Sequence, residues 1–475
     1  MEITLTNNQQ KAFTRLMTFL DDPKAKVFIL KGYAGTGKTT MMRKLIKEMQ
    51  SRGLPFSLLA STGRASKILA NATGANARTV HSEIYNFKDL NQDLEKMTAT
   101  KDKPLADATG QLYLDFELAP VEREEDDGAY YYIIDEASMI SDTVDTNLMQ
   151  AKFGSGKLLT DLLAYDKCGK FIFVGDICQL PPISQPVSPA LSASYFETHF
   201  HLKAYEAELT TIVRQASDND IVTASQKLRN LYYHPQEWKW AKFPLRGCRD
   251  IHILDSQASL ISAYIQCAKK NGFTNATMIT QSNKQCTTST QVIRPSFGHL
   301  QQKIEKGDLL LVTQNNLISG LMNGDMVMVE DVSMHGRRAG LTFLRVSLKE
   351  LFTQQVHTQQ LIADVVYGNL TNISSDQQKD LLIDFYYRMK DLGIKQKSLQ
   401  FRQNMMSDPY LNALRAVYGY VLTCHKSQGG EWDYVFLDIP RGLSGQPKPG
   451  IYQWVYTAMT RAKKGLYIHE GFWLM

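Results

Sequence analysis

The sequence lacks the features that mark a membrane protein or a secreted protein. No apolar run in its 475 residues approaches the roughly 20 residues that a membrane-spanning helix requires. The first residues do not show the basic, apolar and cleavage regions of a signal peptide in succession. We therefore expect a soluble, cytoplasmic protein.

Cysteine is sparse, and its spacing follows no recognised pattern. The six cysteines include no C-x-x-C pair, so the sequence supports neither a zinc site nor a disulfide framework, and reduced thiols are expected. A large excess of charge is also missing. The net charge of +5 permits a nucleic-acid partner without by itself indicating one. The length predicts roughly two to four domains.

The stretch 32–40 is the feature around which the rest of the chain is organised. It fits G-x-x-x-x-G-K-[ST], follows a short apolar strand at 27–30 and precedes a helix at 40–50. In this context backbone N–H groups and the helix N-terminus bind phosphate oxygens, whereas a glycine-rich turn without a ligand is the alternative. The predicted ATP-binding residues of this stretch are Gly32, Ala34, Gly35, Thr36, Gly37, Lys38, Thr39 and Thr40. Lys38 is expected at the β- and γ-phosphates, and the Thr39 hydroxyl at Mg²⁺.

A helix is predicted over residues 7–20, and Gln9 near its start has two interpretations. Thr6 and Gln9 form a T-x-x-Q capping box. A glutamine amide also matches the donor and acceptor pair on an adenine edge. The spacing alone favours the cap.

A second apolar strand, at 130–134, ends in two carboxylates. Asp135 is positioned to hold the water shell of Mg²⁺, and Glu136 to orient or deprotonate the attacking water. Two acids after a strand also occur where a loop simply begins, but the phosphate loop upstream favours the functional interpretation. The similar stretch 153–157 lacks the first glycine and the Ser/Thr, and we predict a loop there.

Two further residues are candidates for contacts with the nucleotide. Gln179 follows the buried strand 171–174, where a polar tip beside the Asp135 strand is placed to sense the γ-phosphate. Arg214 follows an apolar stretch and is a candidate arginine finger, although an isolated arginine at such a place is more typical of a surface residue.

The region 86–128 is polar and poorly periodic, and it is predicted to be an excursion from the first domain. Residues 111–118 alternate as a strand, and the nearest partner is 97–105 across a turn at 107–110. Such a hairpin is placed to act as a wedge between separating strands. Tyr113 or Phe116 then either stacks on the last base pair or packs the hairpin onto the domain; the second is favoured for any one ring.

The sequence pattern changes near residue 298. Short strands with turn signals predict a small β-barrel, and a polar helical stretch follows at 374–407. Core texture returns at 416–422. The last predicted helix spans 453–464 and carries Arg461 near its end.

Taken together and in order, these blocks resemble superfamily 1 helicases of the 5′→3′ branch, the RecD-like and Dda-like group with its Pif relatives. The resemblance extends from Leu5 to Leu466. It implies that Gln9 reads adenine, that Gln179 lies in the motif that couples hydrolysis to DNA, and that Arg214 and Arg461 are arginine fingers. Ser61 stands where the family usually has proline, and Cys424 where it usually has an aliphatic residue.

The same resemblance implies a set of DNA contacts and two cofactors. The cofactors are ATP and Mg²⁺. The implied DNA-binding residues are Thr62, Gly63, Arg64, Thr79, His81, His425, Lys426, Ser427 and Gln428.

The fold class that follows is α/β, with two RecA-like P-loop NTPase domains, a small hairpin excursion and an inserted SH3-like β-barrel. The expected boundaries are 1–85 with 130–205 for the first domain, 86–129 for the excursion, 206–297 with 412–475 for the second domain, and 298–411 for the insert.

The expected function is that of a monomeric, ATP-dependent DNA helicase moving 5′→3′ on single-stranded DNA and acting on duplex or forked DNA. The alternatives are a remodelling ATPase that binds single-stranded DNA without unwinding, and an RNA translocase, which base chemistry in the sequence does not separate from a DNA enzyme.

Overall fold

The structure is a computed structural model, and it describes residues 4–91, 94, 113–124, 128–144, 151–183, 185–213, 219–368 and 370–475. Its strands in chain order are β1 (Val27–Gly32), β2 (Phe56–Ala60), β3 (Ala77–Thr79), β4 (Tyr85–Leu90), β5 (Leu114–Leu118), β6 (Tyr131–Asp135), β7 (Ala151–Phe153), β8 (Lys170–Gly175), β9 (Ala204–Leu209), β10 (Ile251–Leu254), β11 (Ala276–Thr280), β12 (Leu309–Val312), β13 (Met326–Arg338), β14 (Leu341–Glu350), β15 (Val356–Ile362), β16 (Ala416–Tyr418), β17 (Val421–Thr423), β18 (Trp432–Leu437) and β19 (Ala462–His469).

The helices connect and cover these strands. In chain order they are α1 (Asn7–Asp21), α2 (Lys38–Ser51), α3 (Gly63–Thr73), α4 (Val80–Ile84), α5 (Leu158–Tyr165), α6 (Ala193–Phe200), α7 (Asp220–Tyr233), α8 (Gln257–Asn271), α9 (Asn283–Ile293), α10 (Ala363–Tyr367), α11 (Ser375–Asp391), α12 (Leu399–Ser407), α13 (Cys424–Ser427) and α14 (Gly450–Met459). None of the helices in the described ranges is long and apolar enough to cross a bilayer.

The first sheet has six parallel strands in the order β3-β2-β6-β8-β1-β9. Its central strands are apolar over most of their length, as expected for a parallel sheet that is covered on both faces. One face packs against α1, α2 and α3, and the other against α4, α5 and α6. The predicted α/β architecture is confirmed here, and the phosphate loop lies between β1 and α2.

The second sheet is also parallel, with the order β10-β19-β18-β11-β17. Its core is continuous with helices α7, α8 and α14. Helix α14 is buried along its whole length, and this decides how the two sheets meet, because one of its sides contacts the first unit.

The insert between β11 and β17 contains a five-stranded sheet in the order β15-β14-β13-β12-β16 with antiparallel pairing. It has its own apolar core around Val327, Val346 and Leu348. The antiparallel strands agree with the sequence analysis, whereas closure into an SH3-like barrel stays a prediction.

Three predicted boundaries differ from the structure. Strand β9 belongs to the first sheet, so that unit extends past residue 205 to residue 209. The predicted end of the insert at residue 411 comes too early, because β16 pairs with β12 of the insert and only β17 pairs with β11 of the second sheet. The last helix ends at Met459, and residues 462–464 already pair as the start of β19.

The excursion contributes β4 and β5 to a small sheet in the order β4-β5-β7, whose third strand lies outside the predicted excursion. Strand β5 pairs with β4 on one side and with β7 on the other. Residues 97–105 and the turn at 107–110 lie outside the described residues. Phe116 packs between Phe87 and Phe153, with ring centroids 5.5 and 4.7 Å away, which favours packing over a wedge for this ring.

The stretch 153–157 is only partly a loop. Phe153 closes β7, and the turn after it wraps an internal carboxylate, since Ser155 N donates to Asp161 Oδ2 at 2.9 Å. A carboxylate from the chain itself therefore occupies this glycine-rich turn.

The insert is attached to the first unit at two places. Leu90 and Leu94 of the excursion share an apolar core with Phe385 and Phe401 of α11 and α12. Lys67 on α3 lies 2.6 Å from Asp325 and 2.9 Å from Glu350 of the insert, and both carboxylate side chains are only 3% exposed.

We expect Lys67→Met to reduce the free energy of unfolding by about 3–5 kcal/mol, because it leaves two buried carboxylates without their cation. The matched control is Lys88→Met, which removes an exposed ion pair with Glu117 and should cost less than about 1 kcal/mol. Urea denaturation followed by circular dichroism measures both. Equal, small losses for the two variants would contradict the assignment of the Lys67 cluster as an anchor of the insert.

Candidate nucleotide and nucleic-acid site

The phosphate loop has the backbone shape that an anion cradle requires. Gly35 and Gly37 have φ of 79° and 84°, and Gly37 is the N-cap residue that precedes α2. A Cβ on Gly37 would lie 2.4 Å from Gln9 Nε2. Only glycine fits this position, where the chain turns in the left-handed region and the amide of Gln9 approaches it closely.

Lys38 lies at the mouth of this loop. Its ammonium donates to the carbonyl oxygens of Gly32 at 2.8 Å and Tyr33 at 3.3 Å. The Thr39 side chain is exposed beside it. The lysine and the hydroxyl thus stand where the motif expects them, at the N-terminus of a helix that favours anions.

Gln9 performs the capping role and also contacts the phosphate loop. Its Oε1 accepts from Thr6 N at 3.0 Å, and its N–H bonds to the Thr6 hydroxyl, which completes the capping box. Its Nε2 donates to Thr36 O at 3.0 Å, and the residue is 1% exposed. In this conformation both amide atoms are engaged by protein, so adenine reading requires the side chain to exchange partners.

Asp135 and Glu136 lie at the carboxyl end of β6, two strands away from β1 in the sheet. Burial, together with the charge of Glu136, raises the pKa of Asp135 to about 7, and Lys38 opposes that rise. Glu136 has a φ of 51°, which turns the chain sharply after the strand. Because burial disfavours the charged form of Asp135, binding of a cation next to it stabilises this carboxylate more than it would an exposed one.

The side chains present fit Mg²⁺. Carboxylate and hydroxyl oxygens are the ligands that Mg²⁺ prefers, usually one or two from the protein with phosphate and water supplying the others. Asp135 and Thr39 provide this kind of donor set. In the described ranges there is no group of three or more His, Cys, Asp or Glu that would form a separate, all-protein metal site.

Strand β8 lies between β6 and β1, so the loop after it joins the same edge of the sheet. Asp176 is fully buried there, and burial raises its pKa. Gln179 is 3% exposed, and its amide oxygen has no hydrogen-bond partner among the described residues. A buried polar atom of this kind calls for a water or ligand donor, which agrees with a sensor role for Gln179.

Polar side chains on one face of α14 form hydrogen bonds with the loop after β8. Gln453 Nε2 donates to the carbonyl oxygens of Ile177 and Gln179 at 3.0 and 3.1 Å, and Leu180 N donates to the Thr457 hydroxyl at 2.9 Å. Tyr456 Oη donates to Asp176 Oδ2 at 2.7 Å and accepts from Ala34 N at 3.0 Å. The second unit therefore contacts both the loop after β8 and the phosphate loop.

The two candidate arginine fingers are placed differently. Arg214 lies outside the described residues. Arg461 follows α14, is 5% exposed, and donates to Thr457 O at 3.0 Å and Gly430 O at 3.3 Å. Its guanidinium is thus held within the second unit, at the side of α14 that faces the first.

The predicted DNA contacts of the first unit lie at the starts of two helices. Thr62 caps α3 and Thr79 caps α4. A Cβ on Gly63 would lie 2.2 Å from Met322 Cβ of the insert, so this glycine permits a close approach. Arg64 stacks over Trp432 at 4.4 Å, and burial lowers its pKa to about 10. His81 packs edge-on against Phe153.

The predicted contacts of the second unit divide into two pairs. His425 is exposed and Lys426 is half-buried, and desolvation of each side chain lowers its pKa. Lys426 lines a cavity of about 660 Å³ together with Asn283, Thr287 and Tyr418.

Ser427 and Gln428 are both buried, and their predicted contact with DNA stays a prediction. Ser427 is fully buried and donates to Cys424 O at 2.7 Å. Gln428 is 4% exposed, and its Nε2 lies 3.4 Å from Leu180 O. In the structure Ser427 thus bonds within α13, and Gln428 lies at the contact between the two units.

Sequence reasoning missed Gln453, Tyr456 and Thr457. The signal was available, because these polar side chains recur at positions i, i+3 and i+4 of a helix that is otherwise apolar. A buried helix with one polar stripe indicates a partner that supplies hydrogen bonds.

Comparison with known proteins gives two family matches in chain order. An AAA domain model matches residues 4–232, and a UvrD-like helicase C-terminal domain model matches residues 418–469. The first covers the first parallel sheet with its phosphate loop. The second covers β17, β18, α14 and β19.

The relatives include the ATP-dependent RecD2 DNA helicase of Deinococcus radiodurans, 27% identical over 92% of this chain and 46% of that protein. The ATP-dependent DNA helicase dda of Enterobacteria phage T4 is 29% identical over 48% of this chain and 43% of its own length. The chain spans less than half the length of each of these two relatives.

Among solved structures, the fold is similar to the Pif1 helicase from Bacteroides in complex with ADP-AlF3 and ssDNA. The TM-score is 0.50 at 15% identity, and the match covers 99% of this chain and 93% of that one. This likeness concerns the fold alone. The two family matches in chain order, with the similarity to RecD2 over 92% of this chain, make the chain similar to superfamily 1 helicases of the RecD-like, Dda-like and Pif-related group.

Proposed function

We propose that the chain is an ATP-dependent DNA helicase that moves 5′→3′ on single-stranded DNA and unwinds duplex DNA. The observation that carries this proposal is the contact of α14 with the loop after β8 and with Ala34. Through it, the second parallel sheet contacts the phosphate loop and the sensor loop of the first. A change at the phosphates is then transmitted through these hydrogen bonds to the second unit and moves it relative to the first.

In the proposed ATP site, Lys38 neutralises the β- and γ-phosphates, while Thr39 and Asp135 hold Mg²⁺, which supplies charge neutralisation when bound. Glu136 orients the attacking water and Gln179 senses the γ-phosphate. Arg214 and Arg461 supply positive charge in the transition state from the second unit. The other residues of 32–40 cradle the phosphates with their N–H groups, and Gln9 contacts adenine.

The proposed domains follow the earlier division, with the first domain extended through β9 to residue 209. The excursion leaves that domain after α4, and the insert, proposed to be an SH3-like barrel, leaves the second domain near residue 298. The proposed DNA-contacting residues are Thr62, Gly63, Arg64, Thr79 and His81 on the first unit and His425, Lys426, Ser427 and Gln428 on the second. The crystallised Bacteroides relative contains ssDNA, which supports single-stranded DNA as the partner.

Lys38→Ala should lower ATP hydrolysis by about 10²-fold or more, because it removes the charge that faces the phosphates. The control is Lys47→Ala, an exposed lysine on the same helix that makes no predicted contact with nucleotide. Phosphate release with and without single-stranded DNA measures the effect. Hydrolysis by Lys38→Ala at the rate of the control would contradict the ATP site.

We expect Arg461→Ala and Arg214→Ala to lower kcat more than they weaken ATP binding, because their charge serves the transition state. Finger losses in related chemistry reach about 10³–10⁵-fold. The control is Arg441→Ala, an exposed arginine of the second unit. Steady-state kinetics with a fluorescent-nucleotide binding assay separates kcat from affinity. Near-normal turnover by Arg461→Ala would remove it from the site.

Strand displacement on DNA forks tests the function itself. Forks with a 5′ tail should be unwound when ATP is present, and binding should weaken steeply as salt rises, because phosphate contacts dominate the affinity. Lys38→Ala serves as the inactive control.

Other outcomes of this assay would support a different direction or a different function. Unwinding only from a 3′ tail would contradict the direction. DNA-stimulated hydrolysis without displacement would favour a remodelling ATPase, and equal stimulation with displacement of RNA duplexes would favour an RNA translocase.

A further inference from the structure

Tyr456 occupies a place that none of the predicted roles covers. It is 1% exposed, lies on α14 of the second unit, and its hydroxyl contacts two different loops of the first. One contact is the carboxylate of Asp176, after β8. The other is the backbone N–H of Ala34, inside the phosphate loop.

Each polar atom of this contact has a hydrogen-bond partner. The Tyr456 hydroxyl donates to Asp176 Oδ2 at 2.7 Å and accepts from Ala34 N at 3.0 Å. The other carboxylate oxygen of Asp176 accepts from Cys178 N at 2.9 Å. Tyr456, Asp176 and Cys178 are buried and Ala34 is half-buried, so loss of the hydroxyl would leave an N–H and one carboxylate oxygen without their partners.

The neighbours on α14 do not share this position. Gln453 and Thr457 bind only the backbone of the loop after β8, and neither reaches the phosphate loop. Tyr456 is therefore the residue of this helix face through which a shift of α14 acts on both loops together.

We propose that Tyr456 is a positioning residue that couples the second unit to the phosphate loop, by holding the Ala34 amide and the Asp176 carboxylate in one buried hydrogen-bonded bridge. When α14 moves with the second sheet, the bridge sets which way the Ala34 N–H points relative to the phosphates. This inference rests on the ATPase part of the proposed function and extends it to a specific interdomain contact.

The bridge also predicts a change in the pH dependence of turnover. Burial raises the pKa of Asp176, while the charge of Lys38, the Tyr456 hydroxyl and the Cys178 N–H lower it and Glu136 raises it further. Removing the hydroxyl takes away one lowering contribution, so the pKa of Asp176 rises. Protonation of the carboxylate should then reduce turnover at a higher pH than in the wild type.

The test compares Tyr456→Phe with Tyr452→Phe. Tyr452 lies one turn earlier on the same helix and is equally buried, but its hydroxyl bonds to Gln236 Oε1 at 3.2 Å, away from both loops. We expect Tyr456→Phe to lower DNA-stimulated kcat about tenfold while changing KM for ATP less than about threefold. The acid limb of its kcat–pH profile should move to higher pH. Tyr452→Phe should match the wild type in both measurements.

A second variant tests the bridge from its other side. Asp176→Asn should lower kcat by a similar factor and remove the acid limb of the kcat–pH profile. The kcat of the double variant should be no more than about twofold below that of the less active single variant, because both changes remove the same bridge. If thermal melting shows that Tyr456→Phe is unfolded, Asp176→Asn decides alone: a loss of kcat with loss of the acid limb supports the bridge, and a wild-type profile overturns it.

Failure of this inference is separable from failure of the helicase proposal. A wild-type protein that hydrolyses ATP but displaces no strand contradicts unwinding alone. A Tyr456→Phe protein with wild-type kcat and an unmoved acid limb, or fully additive losses in the double variant, overturns the bridge alone.

Discussion

The arrangement of the two sheets depends on a small set of buried hydrogen bonds between α14 and the loop after β8. Gln453, Tyr456 and Thr457 are each at most 2% exposed and all bond across this contact. Buried polar groups are costly when unpaired, so the contact is favourable only in the arrangement that satisfies them together. This gives the two units a specific closed geometry, which a purely apolar contact would define less sharply.

The phosphate loop is held by the same kind of constraint from its other side. Gln9 caps α1 and donates to Thr36 O, so the first helix of the chain is bonded to the loop through a buried amide. With Tyr456 at Ala34, the loop is contacted by one helix from each unit. A preorganised loop of this kind spends little reorganisation energy when charge develops during phosphoryl transfer.

Local patterns predicted what depends on local sequence. The strand, glycine loop and helix at 27–51, the capping box at Thr6 and the strand ending at Asp135 follow from neighbouring residues, and each was found where expected. The errors concern pairing between distant segments. Nothing local reveals that β16 and β17 join different sheets, or that β5 pairs with β4 and β7. The burial of Ser427 is equally hidden from local patterns, since it depends on packing between distant segments.

The attachments of α3 limit how the units can move. Arg64 stacks on Trp432 of the second unit, Gly63 lies against Met322, and Lys67 is paired with two carboxylates of the insert. One helix of the first unit therefore contacts both the second sheet and the insert. If the cleft at α14 opens by rotation, these contacts must either break or lie close to the rotation axis. Breaking them would expose a buried guanidinium and two buried carboxylates, so a rotation that keeps the α3 contacts costs less than one that breaks them.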